Sequence, residues 1–411
     1  MLNGPFTPWP SYTPEEAAAV SQILLSNRVN YWTGQEAREF EREYATWCGT
    51  KHAIAVANGT VALDLALAGL GIGARNGGRA DDEVIVTPRT FLASVSTVVN
   101  AGAIPVFADV DRDSGNITAD SISSMITAST RAIIAVHLAG WPCDMDPIMA
   151  MADARGIKVI EDCAQAHGAR YKGRPVGSIG HIGAWSFCQD KIMTTGGEGG
   201  MVTTNDPDLW SRMWSYKDHG KSWTAVYQEE HPPGFRWLHE SFGTNWRITE
   251  MQAVIGRIQL AKMAGWTQAR TGNARIIDTA LKPFAGPTGP IRAPAFHCAG
   301  CEGCPTKAGC VHAYYKYYAY VRAENLAPKW NRDMIVEEIK ALGVPCFQGS
   351  CSEVYREKAF SGTGWRPKKP LPVAHELGET SLMFLVHPTL TDSEMSKTAW
   401  AIGEVLSQAG R

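Results

Sequence analysis

The sequence has no excess of charge of either sign. Its 39 Lys and Arg residues nearly balance 41 Asp and Glu residues, which leaves a formal net charge of −2. A near-neutral chain without blocks of like charge has no electrostatic footprint for nucleic acid or an anionic membrane. It also has no apolar run of the roughly 18 residues that a membrane span needs. These absences favour a protein that acts on small molecules.

The chain also lacks the sequence features of an exported protein. Its N-terminus, Met1 to Phe6, has neither the basic segment nor the apolar core of a signal peptide. Its ten cysteines are spread through 411 residues, whereas disulfide frameworks are dense in short secreted chains. We therefore expect a cytoplasmic protein in which most cysteines are reduced thiols.

Short β-branched runs alternate with helical patterns between about residues 50 and 205. This rhythm predicts an α/β fold with a mostly parallel sheet flanked by helices. Doubly wound sheets bind their ligands at the C-terminal ends of strands, so we expect the functional residues there. The predicted strands are Ala53 to Ala57, Val84 to Val86, Val106 to Ala108, Ala132 to Val136, Val159 to Ile160, Ala184 to Phe187 and Met201 to Thr203.

A chain of this length favours a large domain followed by a smaller one. We place the large domain at residues 1–263, including an N-terminal segment at 1–50, and a smaller α+β domain at residues 264–411. Residues 205–250 have little periodicity and are interpreted as loops, whereas Glu250 to Met263 has a helical pattern.

The smaller domain is expected to follow an entry segment dense in Pro, Gly and Cys, from Lys282 to Pro305. Its predicted strand is Ala313 to Val321, with one buried face, and its predicted helix is Asp333 to Leu342.

Lys191 lies between a short apolar strand that carries Ser186 and a glycine-rich run, Gly196 to Gly200. Glycines allow backbone to approach a flat ligand closely, and a lysine amine can form a Schiff base with a carbonyl group. This arrangement predicts pyridoxal 5′-phosphate as the cofactor, with the Ser186 hydroxyl near its phosphate.

Gly59 and Thr60 open a helix that directly follows a predicted strand. The free N–H groups and positive dipole end of such a helix can hold a phosphate. The alternative interpretation is an ordinary helix N-cap.

Asp162 ends a buried strand. A pyridoxal enzyme needs a carboxylate on the ring nitrogen, because a protonated nitrogen lets the ring accept electrons. The alternative is a helix-capping aspartate. Gln165, three residues later, can reach the phenolic oxygen of the cofactor.

Seven segments of the chain match one family pattern, and on them the sequence resembles the sugar aminotransferases of the DegT/DnrJ/EryC1/StrS family over nearly its whole length. The resemblance implies a type I aminotransferase fold and a homodimer with active sites at the subunit interface. The segments are Tyr31 to Gly34, Ala57 to Thr60, Thr90 to Ser94, Pro105 to Val110, Glu161 to Gln165, Gly197 to Gly200 and Gly243 to Arg247.

The resemblance also implies roles for single residues. Lys191 would be the Schiff-base lysine and proton shuttle, Asp162 the partner of the pyridine nitrogen, Gln165 the neighbour of the phenolic oxygen and Phe91 the ring stacked on the cofactor. His219 and Arg247 match positions near the acceptor, with loop ion pairs or structural roles as the alternative. The phosphate ligands so implied are Gly59, Thr60, Ser186 and Asn245 of the partner subunit.

An intact lysine distinguishes the family's aminotransferases from its dehydratase branch, where histidine replaces it. The resemblance therefore implies transfer of an amino group from glutamate, or glutamine, to a keto sugar that we expect to be nucleotide-linked, for amino-sugar and surface polysaccharide biosynthesis. A keto cyclitol or keto sugar acid is the alternative acceptor. A non-catalytic relative is a further alternative, against which the complete set of cofactor residues argues.

A cluster of cysteines departs from the family's common pattern. Its C-x2-C-x2-C spacing can hold structural zinc or, in principle, an iron–sulfur cluster, and unligated loop thiols are the other interpretation. A redox protein built around this cluster would leave Lys191 unexplained. The cluster, within an insertion at about residues 297–310, comprises Cys298, Cys301, Cys304 and Cys310, flanked by His297 and His312.

Overall fold

A computed structural model describes residues 4–230, 237–296 and 309–410. Its helices are α1 (Pro14–Ser26), α2 (Glu36–Cys48), α3 (Gly59–Leu70), α4 (Ala93–Asn100), α5 (Ala119–Ser123), α6 (Met145–Asp153), α7 (Pro207–Lys217), α8 (Trp223–Tyr227), α9 (Glu250–Leu281), α10 (Arg332–Ala341), α11 (Pro372–Thr380) and α12 (Asp392–Ala409). Its strands are β1 (His52–Val56), β2 (Glu83–Val86), β3 (Ile104–Phe107), β4 (Thr130–Val136), β5 (Lys158–Asp162), β6 (Arg170–Tyr171), β7 (Arg174–Pro175), β8 (Ile182–Ser186), β9 (Gly200–Thr204), β10 (Ile291–Arg292), β11 (Tyr317–Val321), β12 (Cys346–Phe347) and β13 (Ser381–Phe384).

Seven strands form one sheet in the order β1-β9-β8-β5-β4-β2-β3. The pairs β2–β3, β2–β4, β4–β5 and β5–β8 are parallel, and β9 is antiparallel to both its neighbours. Their apolar runs are almost completely buried because helices cover both faces. Each of the seven predicted strands overlaps one of these strands, so the predicted mostly parallel α/β sheet is confirmed.

A second, antiparallel sheet has the order β10-β11-β13-β12 and packs with α10 and α12 around its own apolar core. The first part of α9 packs into the core beside the large sheet, through residues such as Ala253 and Met263, and its last turns enter the second core through Ile277. The domain boundary predicted after Met263 falls inside this continuous helix and stays a prediction.

The interpretation of the stretch between β9 and α9 as loops is wrong, because it contains α7 and α8. The Asp206 carboxylate caps α7 by accepting two amide hydrogen bonds, at 2.8 and 3.1 Å, and Pro207 takes the first turn. Leu209 and Met213, four residues apart, bury one face of the helix. Trp210 and Trp214, also four residues apart, follow the same period beside this face.

The predicted strand over residues 313–321 begins only at Tyr317, and all five side chains of β11 are buried, rather than those of one face. The preceding backbone leaves the sheet because Tyr314 has a φ of 49° and the Tyr315 amide donates instead to the Ala139 carbonyl, at 2.9 Å. This departure directs Tyr315 towards the large sheet.

Within residues 4–230, 237–296 and 309–410, no helix is both long and apolar enough to cross a bilayer.

Candidate active site

A cavity of about 650 Å³ lies where the C-terminal ends of β4, β5 and β8 meet the first turn of α3. This volume suits a small-molecule ligand, and the position is the one at which parallel α/β sheets bind theirs. The residues predicted from the sequence that line the cavity are Gly59, Thr60, Phe91, Asp162, Gln165, Ser186 and Lys191.

The first turn of α3 presents unpaired amides to the cavity. Asn58 is the N-cap, and its side chain accepts from the Val61 amide at 2.9 Å. Among the described residues, no protein group accepts from the amides of Gly59 and Thr60. The alternative of a simple N-cap therefore applies to Asn58, and the next two amides remain available for an anion.

Gly59 allows α3 to lie directly against the end of β8. A Cβ atom at this position would lie 2.4 Å from Cβ and 2.8 Å from Oγ of Ser186. Real Cβ contacts are never this short, so a side chain at residue 59 would push the helix away. Glycine thus holds the free amides and the Ser186 hydroxyl together on one side of the cavity.

The Asp162 carboxylate is the anionic group at the end of β5, and its side chain is nearly buried. It accepts hydrogen bonds from Ser94 Oγ at 2.8 Å and from the Ala164 amide at 3.1 Å. Burial raises the pKa of Asp162, whereas these two donors and the positive charge of Lys191 act to lower it. Each carboxylate oxygen retains capacity for a further donor, so the site favours a cationic ligand group.

Gln165 is oriented by a backbone hydrogen bond. Its Oε1 accepts from the Ala139 amide at 2.8 Å, where the chain takes the unusual φ of 56°. This bond fixes the amide orientation and leaves the Nε2 donor for the cavity. Gln165 therefore suits an oxygen acceptor on a ligand.

Lys191 follows a tight turn after β8, in which its amide donates to the Cys188 carbonyl at 3.0 Å. The indole Nε1 of Trp9 donates to the Lys191 carbonyl at 2.8 Å, and this bond ties the N-terminal segment to the turn. The Lys191 Nζ lies 5.0 Å from the ring centroid of Tyr315. The amine thus lies at the cavity wall and faces Tyr315, in the segment that leads into β11.

Phe91 lines the cavity just before α4, and 72% of its surface is exposed in the single chain. A large apolar ring is rarely left this exposed beside a cavity unless something covers it.

Three predicted residues, His219, Asn245 and Arg247, are not among those that line the cavity of the single chain. Arg247 donates to the buried Asp218 carboxylate at 2.6 Å, which is the ion pair that the alternative interpretation predicted. The His219 amide donates to the Thr244 carbonyl at 2.8 Å, so the two loops lie side by side.

Sequence reasoning missed three residues that the fold brings to the site. In the sequence, Ser94 is only the end of a matching segment, Tyr315 lies in a predicted strand, and no pattern assigns a role to Asp190. All three line the cavity. No local pattern could pair Ser94 with Asp162, or Asp190 with Tyr315, because the residues of each pair are far apart along the chain.

The predicted cysteine cluster lies mostly outside the described residues. Of its four cysteines only Cys310 is described, and it is buried, with its sulfur accepting from the Lys172 amide at 3.3 Å. Burial lowers the pKa of the neighbouring His312 to about 3. A metal role for the cluster stays a prediction.

Comparison with known proteins gives a consistent result. The model of the DegT/DnrJ/EryC1/StrS aminotransferase family matches residues 10–402. A solved aminotransferase from Psychrobacter cryohalolentis is 63% identical, with a TM-score of 0.94, over 98% of this chain and 99% of the other.

Two curated relatives bear on the acceptor. GDP-perosamine synthase of Caulobacter vibrioides is 34% identical over 381 residues, which are 90% of this chain and 89% of that protein. An L-glutamine:2-deoxy-scyllo-inosose aminotransferase of Streptomyces kanamyceticus is 37% identical over 286 residues, 67% of this chain and 64% of that protein.

Proposed function

This chain belongs to the DegT/DnrJ/EryC1/StrS aminotransferase family, and we propose that it uses pyridoxal 5′-phosphate to move an amino group from glutamate or glutamine to a nucleotide-linked keto sugar. The observation that carries this proposal is the convergence of a lysine amine, a buried carboxylate and a pair of free helix amides on one cavity. The residues concerned are Lys191, Asp162, Gly59 and Thr60.

The donor set of the cavity fits the cofactor group by group. The free amides of α3 and the Ser186 hydroxyl suit a phosphate, and the absence of a Cβ atom at Gly59 keeps them together. The remaining acceptor capacity of Asp162 suits a protonated ring nitrogen, and the Nε2 of Gln165 suits the phenolic oxygen. Phe91 offers an exposed aromatic face on which the ring can stack.

When bound, the cofactor supplies a ring that stabilises negative charge at the carbon from which a proton is removed. Asp162 keeps the ring nitrogen protonated by presenting its negative charge in a buried setting. Lys191 takes a proton from the donor's α-carbon on Nζ and delivers a proton to the acceptor carbon in the second half-reaction. Because donor and acceptor would use the same cavity in turn, with the keto acid product leaving before the acceptor binds, ping-pong kinetics are expected.

The acceptor class rests on the relatives. GDP-perosamine synthase, whose name describes a nucleotide-linked amino sugar, aligns over nearly the whole chain. We therefore assign a nucleotide-linked keto sugar, for amino-sugar and polysaccharide biosynthesis. A keto cyclitol is the second candidate, because the inosose aminotransferase aligns over two thirds of the chain.

A homodimer completes this site in our proposal. The exposed aromatic side chains Phe91, Trp237 and Phe242 support it, since large apolar groups at 72%, 80% and 99% exposure favour a covering surface. Asn245, three residues after Phe242, would reach the cofactor phosphate of the partner subunit, and His219 and Arg247 would lie near the acceptor. A cytoplasmic location stays a prediction from the sequence.

The test is a spectroscopic half-reaction. The purified protein, supplied with pyridoxal 5′-phosphate, is expected to develop a visible absorbance band that L-glutamate or L-glutamine removes and a keto-sugar nucleotide restores. Lys191→Ala should abolish the band, whereas Lys340→Ala, at an exposed lysine, should keep it. A band that is identical in Lys191→Ala and insensitive to both donors would overturn the proposal. If an inosose restored the band and no keto-sugar nucleotide did, the acceptor would be a keto cyclitol instead of a keto sugar.

A further inference from the structure

Asp190 and Tyr315 form a hydrogen-bonded pair beside the Lys191 amine. The Tyr315 hydroxyl donates to Oδ2 of Asp190, and both residues line the cavity. The Lys191 Nζ lies over the Tyr315 ring at 5.0 Å from its centroid. A carboxylate and an aromatic face are both groups that attract an ammonium ion.

We propose that Asp190 and Tyr315 are positioning residues that hold the Lys191 amine at the cavity wall, through the Asp190 charge and the face of the Tyr315 ring. This inference rests on the proposed function, because it assigns Lys191 the role of carrying a proton. Asp190 supplies a negative charge that interacts with the positive charge of Lys191, and the Tyr315 hydroxyl stabilises this carboxylate by donating to its Oδ2.

The fold holds Tyr315 rigidly in this place. Its amide donates to the Ala139 carbonyl at 2.9 Å, and the fully buried Arg270 donates to the carbonyls of Tyr314 and Tyr315 at 3.1 and 3.4 Å. Trp9, whose indole binds the Lys191 carbonyl, also packs over the Arg270 guanidinium, 5.1 Å from the ring centroid. Three distant segments therefore fix the pair relative to Lys191.

The charge state of Asp190 agrees with this geometry. Burial acts to raise the pKa of Asp190, but the charge of Lys191 and the Tyr315 hydroxyl lower it below its ordinary value. Asp190 is thus an anion whenever the amine beside it has to accept a proton.

The other charged groups near the amine are of both signs, with Asp162 and Glu198 lining the same cavity and Lys316 close to Asp190. Burial lowers the pKa of Lys316 to about 8 and that of Arg270 to about 9, although Asp190 acts to raise that of Lys316. Removal of the Asp190 charge would therefore leave the Lys191 ammonium with less compensation. The titratable groups that face Lys191 or act on it are Asp190, Cys188, Asp162, His167, Glu198, Tyr315 and Lys316.

The experiment measures the proton affinity of Lys191 itself. The full-length protein, freed of pyridoxal 5′-phosphate, is treated with a trace of acetic anhydride at graded pH, and acetylation of the Lys191 peptide is followed by mass spectrometry. Asp190→Asn is expected to lower the labelling midpoint of Lys191 by about one pH unit, because an adjacent opposite charge shifts a pKa by this amount or more. Tyr315→Phe should lower it by less, and Asp190→Glu should stay closer to wild type than Asp190→Asn.

A second tyrosine–aspartate pair provides the matched control. Tyr317 of β11 donates to Asp278 of α9, and neither residue lines the cavity. Asp278→Asn and Tyr317→Phe should leave the Lys191 midpoint at its wild-type value.

A midpoint that is unchanged or raised in folded Asp190→Asn would overturn the proposal. If Asp190→Asn fails to fold, Tyr315→Phe decides alone, and an unchanged midpoint there would overturn it. The measurement needs no cofactor and no substrate, so failure of this inference is distinguishable from failure of the proposed function, which the absorbance band tests separately.

Discussion

Ser94 donates a hydrogen bond from Oγ to Oδ2 of Asp162, at 2.8 Å, across the gap between the start of α4 and the end of β5. This bond orients the carboxylate that faces the candidate cofactor site. The Ala164 amide donates to the other carboxylate oxygen of Asp162, at 3.1 Å. Ser94 is therefore the side chain that, together with this amide, orients and stabilises the buried anion.

The first prediction concerns this hydroxyl. Ser94→Ala removes a donor to a charged group, which is worth about 1.5–3 kcal/mol, and it should raise the pKa of Asp162 further. We expect the affinity for pyridoxal 5′-phosphate to fall by about tenfold or more, measured by titrating the cofactor-free protein. Ser96→Ala, whose hydroxyl bonds only to backbone carbonyls of its own helix, is the control. Equal dissociation constants for the two variants would contradict the assigned role of Ser94.

The second prediction concerns Gly59. A methyl group there would meet Ser186, so Gly59→Ala should displace the first turn of α3, lower the free energy of unfolding by about 1–3 kcal/mol and weaken cofactor binding. Gly272→Ala, in the middle of α9 with open space around the added Cβ, should instead stabilise the protein by about 0.5–1 kcal/mol. Urea denaturation at a fixed protein concentration measures both changes in the free energy of unfolding. Tight cofactor binding by Gly59→Ala would argue against a phosphate site at the first turn of α3.

The third prediction concerns stability at low pH. The buried His167 ring packs against Trp185 and Phe187, and burial, aided by the charge of Lys191, lowers its pKa to about 3. The unfolded chain protonates this group near pH 6.5 and the folded chain does not. Its stabilising contribution is therefore complete above about pH 6.5 and is lost as the pH falls towards 3.

Removal of this titration should flatten the acid limb of the stability curve. Between pH 7 and pH 5, His167→Phe should lose about 2 kcal/mol less unfolding free energy than wild type. His239→Gln, at an exposed histidine, should follow the wild-type slope. If His167→Phe also followed that slope, the buried ring would not be the group that titrates.

The sheet could be predicted from the sequence because its strands are short, β-branched and regularly spaced, so that a local pattern identifies each of them. Lys191, Asp162 and Gly59 could be predicted because each lies in a contiguous motif whose chemistry is recognisable. By contrast, the start of β11 depends on the backbone of Tyr314 and on a bond to Ala139, far away along the chain. Tertiary contacts of this kind leave no local signal.

The missed helix α7 is a different case, because its signal was present. An aspartate N-cap before Pro207 and apolar residues four positions apart are both typical of a helix start. Averaging the pattern over the whole of residues 205–250 hides this short helix. The contacts of Asp190 and Tyr315 near Lys191 could not be predicted, because they join the turn after β8 to the segment that precedes β11.

Lys191 is the residue on which the proposed cofactor chemistry depends most. Reduction of the protein–pyridoxal phosphate mixture with borohydride, followed by proteolysis and mass spectrometry, identifies the lysine that is modified. We predict a stable phosphopyridoxyl group on Lys191 and none on Lys316, the buried lysine that lies over the same Tyr315 ring. Modification of Lys316 or of scattered surface lysines, with Lys191 unmodified, would contradict the assignment of Lys191 as the Schiff-base lysine.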